Sequence, residues 1–204
     1  VQSLVGSEMC IRDSLKAAHL KERQAAYGRL RGGFPIPMSG TVYWLVIAAM
    51  SQIFAPSQQL FYSFVASGAI FPMALLFAAL FKNDFMKDKG VATSVLVPAF
   101  ISMLLFWPMV VVAVAEGSAD IALVILAIGL SIHWPVIGWS YGRTAIFCAH
   151  SIIRAVLVLA LYFLFPEQRF LFIPLAVAFV YAVTVLALIL DSGRFAKAKA
   201  EGAE

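Results

Sequence analysis

The chain alternates long apolar runs with short polar segments. Six runs approach the ~20 residues that a helix needs to cross the hydrocarbon core of a bilayer. They cover 38–54, 60–81, 91–115, 119–139, 144–165 and 170–190. Helices are the expected conformation, because open strand edges facing lipid would leave backbone groups without hydrogen-bond partners. The pattern predicts an all-α, polytopic membrane helix bundle with six transmembrane helices.

The segments outside this transmembrane domain (38–190) are polar or basic. Residues 15–37 predict a basic N-terminal amphipathic helix and a linker, with Leu20, Tyr27 and Leu30 on one helix face. This helix could lie on the membrane surface or serve as a solvated lead-in. Residues 191–204 form a short polar tail, which we expect in the cytoplasm.

Composition supports a membrane protein and excludes an ordinary soluble domain. Hydrophobic residues make up 62% of the chain and charged residues 13%, with a mean hydropathy of +0.92. Soluble domains carry about 25% charged residues. The net charge of +4 gathers at the ends of the apolar runs, which indicates contact with the lipid bilayer rather than with nucleic acid.

The distribution of Lys and Arg predicts an orientation. With six spans, thirteen of the fifteen fall on one side, Arg169 falls on the other, and Arg154 lies inside the fifth run. Basic residues favour the cytoplasmic side of a membrane. We therefore expect both termini in the cytoplasm.

Polar side chains inside the apolar runs are candidates for function, because they are costly in hydrocarbon. Arg143, His150 and Arg154 are seven and four residues apart, which places them on one helix face. A rise of 1.5 Å per residue puts Arg154 roughly 16 Å deeper than Arg143. The short turn before Arg143 should bring His133, on the fourth run, to the depth of His150. We predict that Arg154, His150 and His133 bind a small anionic ligand, with Arg143 at the cytoplasmic mouth.

Several roles remain open for these residues. Arg154 stays protonated, and no Asp or Glu lies deep in a run to pair with it. It could bind an anion or lipid head group, bond carbonyls freed by a kink at Pro135, face a water-filled cavity, or extend to an interface. The two histidines could relay protons or simply hydrogen-bond between helices.

Three aromatic–proline pairs interrupt the runs, at Phe71-Pro72, Trp107-Pro108 and Trp134-Pro135. Proline removes a helical hydrogen bond, and kinked helices often line cavities in transporters. No motif for a nucleotide, metal or covalent catalyst is present, so we expect no cofactor and no catalytic residue. Cys10 and Cys148 are poorly placed for a disulfide framework.

Residues 133–143 (HWPVIGWSYGR), with His150, Arg154 and Phe165-Pro166-Glu167, resemble an uncharacterised family of small bacterial multi-pass membrane proteins. The resemblance covers roughly 15–190. It implies a six-helix protein of the bacterial inner membrane and brings no known activity. Residues 1–14 depart from it. They resemble translated sequencing-adapter sequence, the alternative being a disordered terminus, and they receive no functional weight.

Three functions follow as hypotheses. The first is a binder or transporter of a small anionic solute or a lipid-like ligand. The second is a structural or partner membrane subunit without a ligand, in which the polar groups only join helices. The third, less favoured, is an enzyme that modifies a lipid.

Overall fold

The structure, a computed structural model, describes residues 2–85, 87, 88, 90 and 94–201, with side chains described from residue 10 to residue 195. This part of the chain is all-helical. Its ten α-helices, in chain order, are α1 Gln2–Arg29, α2 Pro35–Met50, α3 Pro56–Ser67, α4 Ile70–Leu80, α5 Leu96–Leu104, α6 Trp107–Ala115, α7 Ala119–Gly129, α8 Trp134–Ser140, α9 Thr144–Leu164 and α10 Arg169–Glu201. Short 3₁₀ turns, Arg31–Gly33 and Pro166–Gln168, precede α2 and α10.

Within these described residues, five helical stretches are long and apolar enough to cross a membrane. A sixth is added if α3 and α4, bent by 51° at residues 68–69, count as one span. The five stretches are Arg31–Met50, Leu96–Ala115, Ala119–Ser140, Thr144–Leu164 and Pro166–Phe195. All six predicted runs therefore coincide with apolar helix, although residues 91–93 of the third run lie outside the described residues.

The predicted aromatic–proline interruptions are present as breaks in the helices. The α3–α4 bend lies just before Phe71-Pro72, the α5–α6 break comes directly before Trp107-Pro108, and the α7–α8 break comes before Trp134-Pro135. In α6 and α8 the proline occupies the first helical turn, where its missing N–H is tolerated. Pro174, by contrast, lies inside the continuous helix α10.

Helix α1 packs on one end of the bundle, which we call the α1 end. Tyr27 and Leu30 are buried there, while Leu20 is 39% exposed. The Arg23 guanidinium donates to the Trp139 carbonyl (2.9 Å), and the Asn83 amide donates to the Leu30 carbonyl (2.7 Å). Two of the three residues of the apolar face predicted for this helix, Tyr27 and Leu30, thus pack against the protein. Residues 2–14, for which a disordered terminus was one expectation, continue the helix.

The other end of the bundle, called the far end, joins different segments. Arg169 pairs with Asp120 (2.6 Å) and connects the start of α10 to the start of α7. The buried Gln59 amide donates to the carbonyls of Ile47 and Phe170, both at 2.8 Å. The core between the two ends is formed mainly where α10 packs along α2 and α9.

Candidate functional site

Arg154 lies in the middle of the bundle. It is ten residues from each end of α9, about 15 Å along the axis, and its side chain is fully buried. Its Nη1 donates to the Tyr181 hydroxyl (2.9 Å), and the guanidinium carbon is 5.0 Å from the Tyr181 ring and 5.5 Å from the Trp44 ring. The structure therefore encloses Arg154 within the bundle, and among the described residues its guanidinium donates to a side-chain hydroxyl rather than to a backbone carbonyl. Its Nε and Nη2 have no partner among the described residues.

His150 shares the buried face of α9 with Arg154, as the spacing predicted. Its Nδ1 is 2.8 Å from the Thr184 hydroxyl, which itself donates to the Val180 carbonyl (2.7 Å). Because that hydroxyl proton is already used, His150 Nδ1–H is the donor to Thr184, and Nε2 is left as an acceptor. This Nε2 has no partner within the part of the chain that the structure describes.

His133 is separated from His150 by the indole of Trp134. The Trp134 ring stacks on His150 at 4.4 Å and lies 5.8 Å from His133, whose other neighbour is Phe100 at 4.8 Å. The His150 ring also lies 4.8 Å from the ring of Tyr181, whose hydroxyl accepts the hydrogen bond from Arg154. The structure thus brings His133, His150 and Arg154 into one buried cluster, although the two histidines do not face the same cavity.

Arg143 is held away from this cluster, at the α1 end. It pairs with Asp191, which also accepts a hydrogen bond from the Tyr27 hydroxyl (2.7 Å), and its guanidinium lies 5.0 Å from the Phe195 ring. Burial and the hydrogen bond to Asp191 raise the pKa of the Tyr27 phenol. These contacts connect α1, the turn before α9 and the end of α10. Asp191, expected in a solvated tail, is part of this connection.

A cavity of about 580 Å³, the main cavity, lies where the three interrupted spans meet. Its wall contains the aromatic residue of each aromatic–proline pair: Phe71, Trp107 and Trp134. The rest of the wall is almost entirely apolar, and its ionisable side chains are His133 and Tyr181. Neither Arg154 nor His150 forms part of this wall. The predicted link between kinked helices and a cavity therefore has a structural counterpart.

A second cavity of about 260 Å³, the end cavity, leads from the main cavity to the α1 end. The two share the wall residues Ile36, Phe71, Val97, Phe100 and Trp134. Gly32, Gly33, Asp88 and Tyr141 line its outer part. The Arg29–Asp88 ion pair (2.8 Å) connects α1 to the loop beside this opening. Together the cavities extend from a polar rim to the buried cluster.

Tyr181 is the site residue that sequence reasoning missed. It lines the main cavity and accepts the hydrogen bond from Arg154, so it stands between the arginine and the cavity. Gly40 of α2 lies directly against its ring. A signal was present in the sequence, because Tyr181 and Thr184 are two polar side chains one helical turn apart within the sixth apolar run. Only the packing of α10 on α9 shows that it meets Arg154.

The described residues contain no group of three His, Cys, Asp or Glu side chains that could hold a metal ion. Both cysteines are free thiols, Cys10 exposed and Cys148 half-buried. The chemistry available in the cluster is therefore that of one fixed cation, two imidazoles and one phenol, beside an apolar space.

Comparison with curated proteins gives no match, and comparison with solved structures gives none either. A protein-family model does match, and it covers residues 20–191. That range includes α2 to α9, both cavities and the buried cluster. The chain therefore belongs to the family of unknown function DUF7010.

Proposed function

We propose that this protein binds a lipid-like amphiphile in the main cavity. The observation that carries the proposal is an apolar space of about 580 Å³ between three interrupted membrane helices. Sites for small ligands measure about 300–1,000 Å³ and combine apolar walls with a few placed polar groups. Here those groups are His133 and Tyr181, with Arg154 and His150 directly behind the wall.

The character of the wall favours a lipid-like ligand over a small hydrophilic anion. A hydrated ion would lose its water on entering this space and would meet mostly aromatic and aliphatic side chains. An alkyl chain has no hydration shell to lose on entering this space, because the wall is as apolar as the membrane interior that the chain leaves. Arg154 supplies positive charge from behind the wall. Whether binding leads on to transport stays a prediction.

We also propose six crossings with both termini on one side. The contacts of α1 favour this, because residues 83, 88, 139, 143 and 191 all join the α1 end. The chain must then leave the α1 end and return to it three times, in the intervals 34–82, 90–139 and 143–191. The α1 end also carries the basic segments, which favours its placement on the cytoplasmic side of a bacterial inner membrane.

Labelling with a membrane-impermeant maleimide tests this topology. In a variant without native cysteines, Lys21→Cys and Glu167→Cys introduce single exposed sites at the two ends. We expect label to reach them from opposite faces of the membrane, with Lys21→Cys reached from the cytoplasm. Labelling of both sites from the same face would contradict six crossings.

Binding can be measured by quenching of tryptophan fluorescence, because Trp107 and Trp134 line the main cavity. The probes are dibrominated oleic acid and dibrominated oleyl alcohol, added to purified protein in detergent. Gly68→Leu should abolish saturable quenching, since Gly68 lines the main cavity and an added Cβ there makes only an ordinary contact, 3.5 Å from the Val65 carbonyl oxygen. Gly193→Leu is the matched control, because nothing lies within 4 Å of its Cβ position. Absence of saturable quenching by both probes would overturn the proposal.

A second candidate is a structural subunit in which the buried cluster only joins helices. It is favoured by one observation, the enclosure of Arg154 between Tyr181 and Trp44. The two functions differ in what Arg154→Gln does. A structural role predicts a less stable protein with no ligand to lose, whereas a binding role predicts weaker quenching by the acid in protein that remains folded.

A further inference from the structure

The polar groups beside the main cavity indicate what kind of head group it accepts. Resting on the proposed binding function, we infer that Tyr181 is a specificity-determining residue that donates a hydrogen bond to an anionic head group of the bound amphiphile. The head group would thus lie deep in the bundle, with the alkyl chain along the apolar wall.

The hydrogen bond between Arg154 and Tyr181 can run in only one direction. A guanidinium can only donate, so the Tyr181 oxygen accepts from Nη1 (2.9 Å). The phenolic hydrogen is therefore still available. Within the described residues the Tyr181 hydroxyl donates to no acceptor, although the side chain is 95% buried, with a relative exposure of 5%. A buried donor without an acceptor is unfavourable, and a ligand oxygen would satisfy it.

The positive charge of Arg154 also favours an anionic head group. Arg154 forms no ion pair among the described residues, and no acidic residue lies in the middle of a span. A positive charge in a low-dielectric interior favours a negative charge nearby. Because Arg154 polarises the Tyr181 hydroxyl, the phenol becomes a stronger donor toward an anion. The charge of Arg154 and the available hydroxyl hydrogen of Tyr181 thus both favour an anion beside the Tyr181 oxygen.

The polar groups along the two cavities favour a head group at the inner position, beside Tyr181. Tyr181 and His133 both line the main cavity, whereas the outer part of the end cavity is lined by Asp88, a carboxylate. An anionic head at the outer rim would meet like charge, although Arg29 partly compensates it. The same head beside Tyr181 would meet an unused donor and an unpaired cation. The inner position is therefore favoured, and His133 Nδ1, which has no partner in the described structure, would be its second neighbour.

The test uses two quenching probes with the same dibrominated alkyl chain, dibrominated oleic acid and dibrominated oleyl alcohol, and two competitors with the same oleyl chain, unlabelled oleate and oleyl phosphate. At a pH where the acid is ionised, wild-type protein should bind it at least about tenfold more tightly than the alcohol, as expected for one charge-assisted hydrogen bond. Tyr181→Phe should remove most of this preference and leave alcohol binding nearly unchanged. Stronger competition by oleyl phosphate than by unlabelled oleate would identify phosphate as the preferred anion.

Tyr43→Phe is the matched control. Tyr43 is equally buried and its hydroxyl is used, donating to the Ser63 carbonyl (2.8 Å), but it does not line the main cavity. It should keep the preference for the acid. Equal binding of acid and alcohol by wild type, or an unchanged preference in Tyr181→Phe, would overturn the inference while leaving the proposed function intact. Failure of both probes to bind would instead reject the proposed function itself.

Discussion

Gly40→Ala tests whether α2 and α10 pack as closely as the structure indicates. A Cβ at Gly40 would lie 2.7 Å from Cε1, 2.8 Å from Cζ and 3.0 Å from Cδ1 of the Tyr181 ring. Real Cβ atoms do not come within 3.0 Å of another heavy atom, so the ring must move. Gly40 has an ordinary helical backbone, and crowding is therefore the only source of strain.

The expected loss of stability has two parts. Inserting a methyl group into a well-packed core destabilises a protein by about 1–3 kcal/mol. Moving the ring also weakens the Tyr181–Arg154 hydrogen bond, and a hydrogen bond to a charged group contributes about 1.5–3 kcal/mol. Replacing Gly by Ala in a helix returns up to about 1 kcal/mol. With about 1 kcal/mol returned, these losses predict that Gly40→Ala lowers the free energy of unfolding by about 1.5–5 kcal/mol.

Reversible unfolding in mixed detergent micelles, followed by circular dichroism, measures this difference. Gly193→Ala, where an added Cβ has no neighbour within 4 Å, is the control and should be at least as stable as wild type. Repeating Gly40→Ala in a Tyr181→Leu background should recover much of the loss, because the crowded ring is gone. If Gly40→Ala proves as stable as Gly193→Ala, the close packing inferred here is refuted.

Two further predictions concern the ion pairs at the α1 end. Burial alone would raise the pKa of Asp88, but the hydrogen bonds from Arg29 and the Gly90 N–H, with the charge of Arg29, lower it. The pKa of Asp88 in the folded protein is therefore below the unfolded value of about 3.9. The ionised carboxylate stabilises the protein above that value, and this stabilisation is lost as the pH falls through the folded-state pKa. The difference in melting temperature between wild type and Asp88→Asn should therefore be constant from about pH 5 upward and shrink below about pH 4; a difference that grows with acidification would contradict this. Asp191→Asn should destabilise the packing of α1 by about 1–3 kcal/mol, because it leaves the partly buried Arg143 without its counter-charge. Limited proteolysis within α1 measures this effect, and an unchanged cleavage rate would show that the pair does not hold the helix.

Much of the architecture could be predicted from the sequence because it depends on local pattern. The fifth predicted run, 144–165, matches helix α9, Thr144–Leu164. The shared face of His150 and Arg154 and the interruptions at the aromatic–proline pairs follow from helical periodicity and from proline chemistry. A helix also satisfies its backbone hydrogen bonds within its own segment, so an apolar run of the right length can be recognised as a membrane helix without knowledge of the other helices.

The partners of the polar residues were decided by the tertiary structure. Arg143, predicted at the cytoplasmic mouth of the site, is paired with Asp191, 48 residues away, a partner that the spacing did not indicate. Arg154 meets Tyr181, 27 residues away, because α9 and α10 pack with one particular register. Periodicity states which face of a helix a residue occupies, but not which neighbouring helix lies against that face. That choice depends on how all the helices fill space together, and here it decided which polar groups lie beside the main cavity.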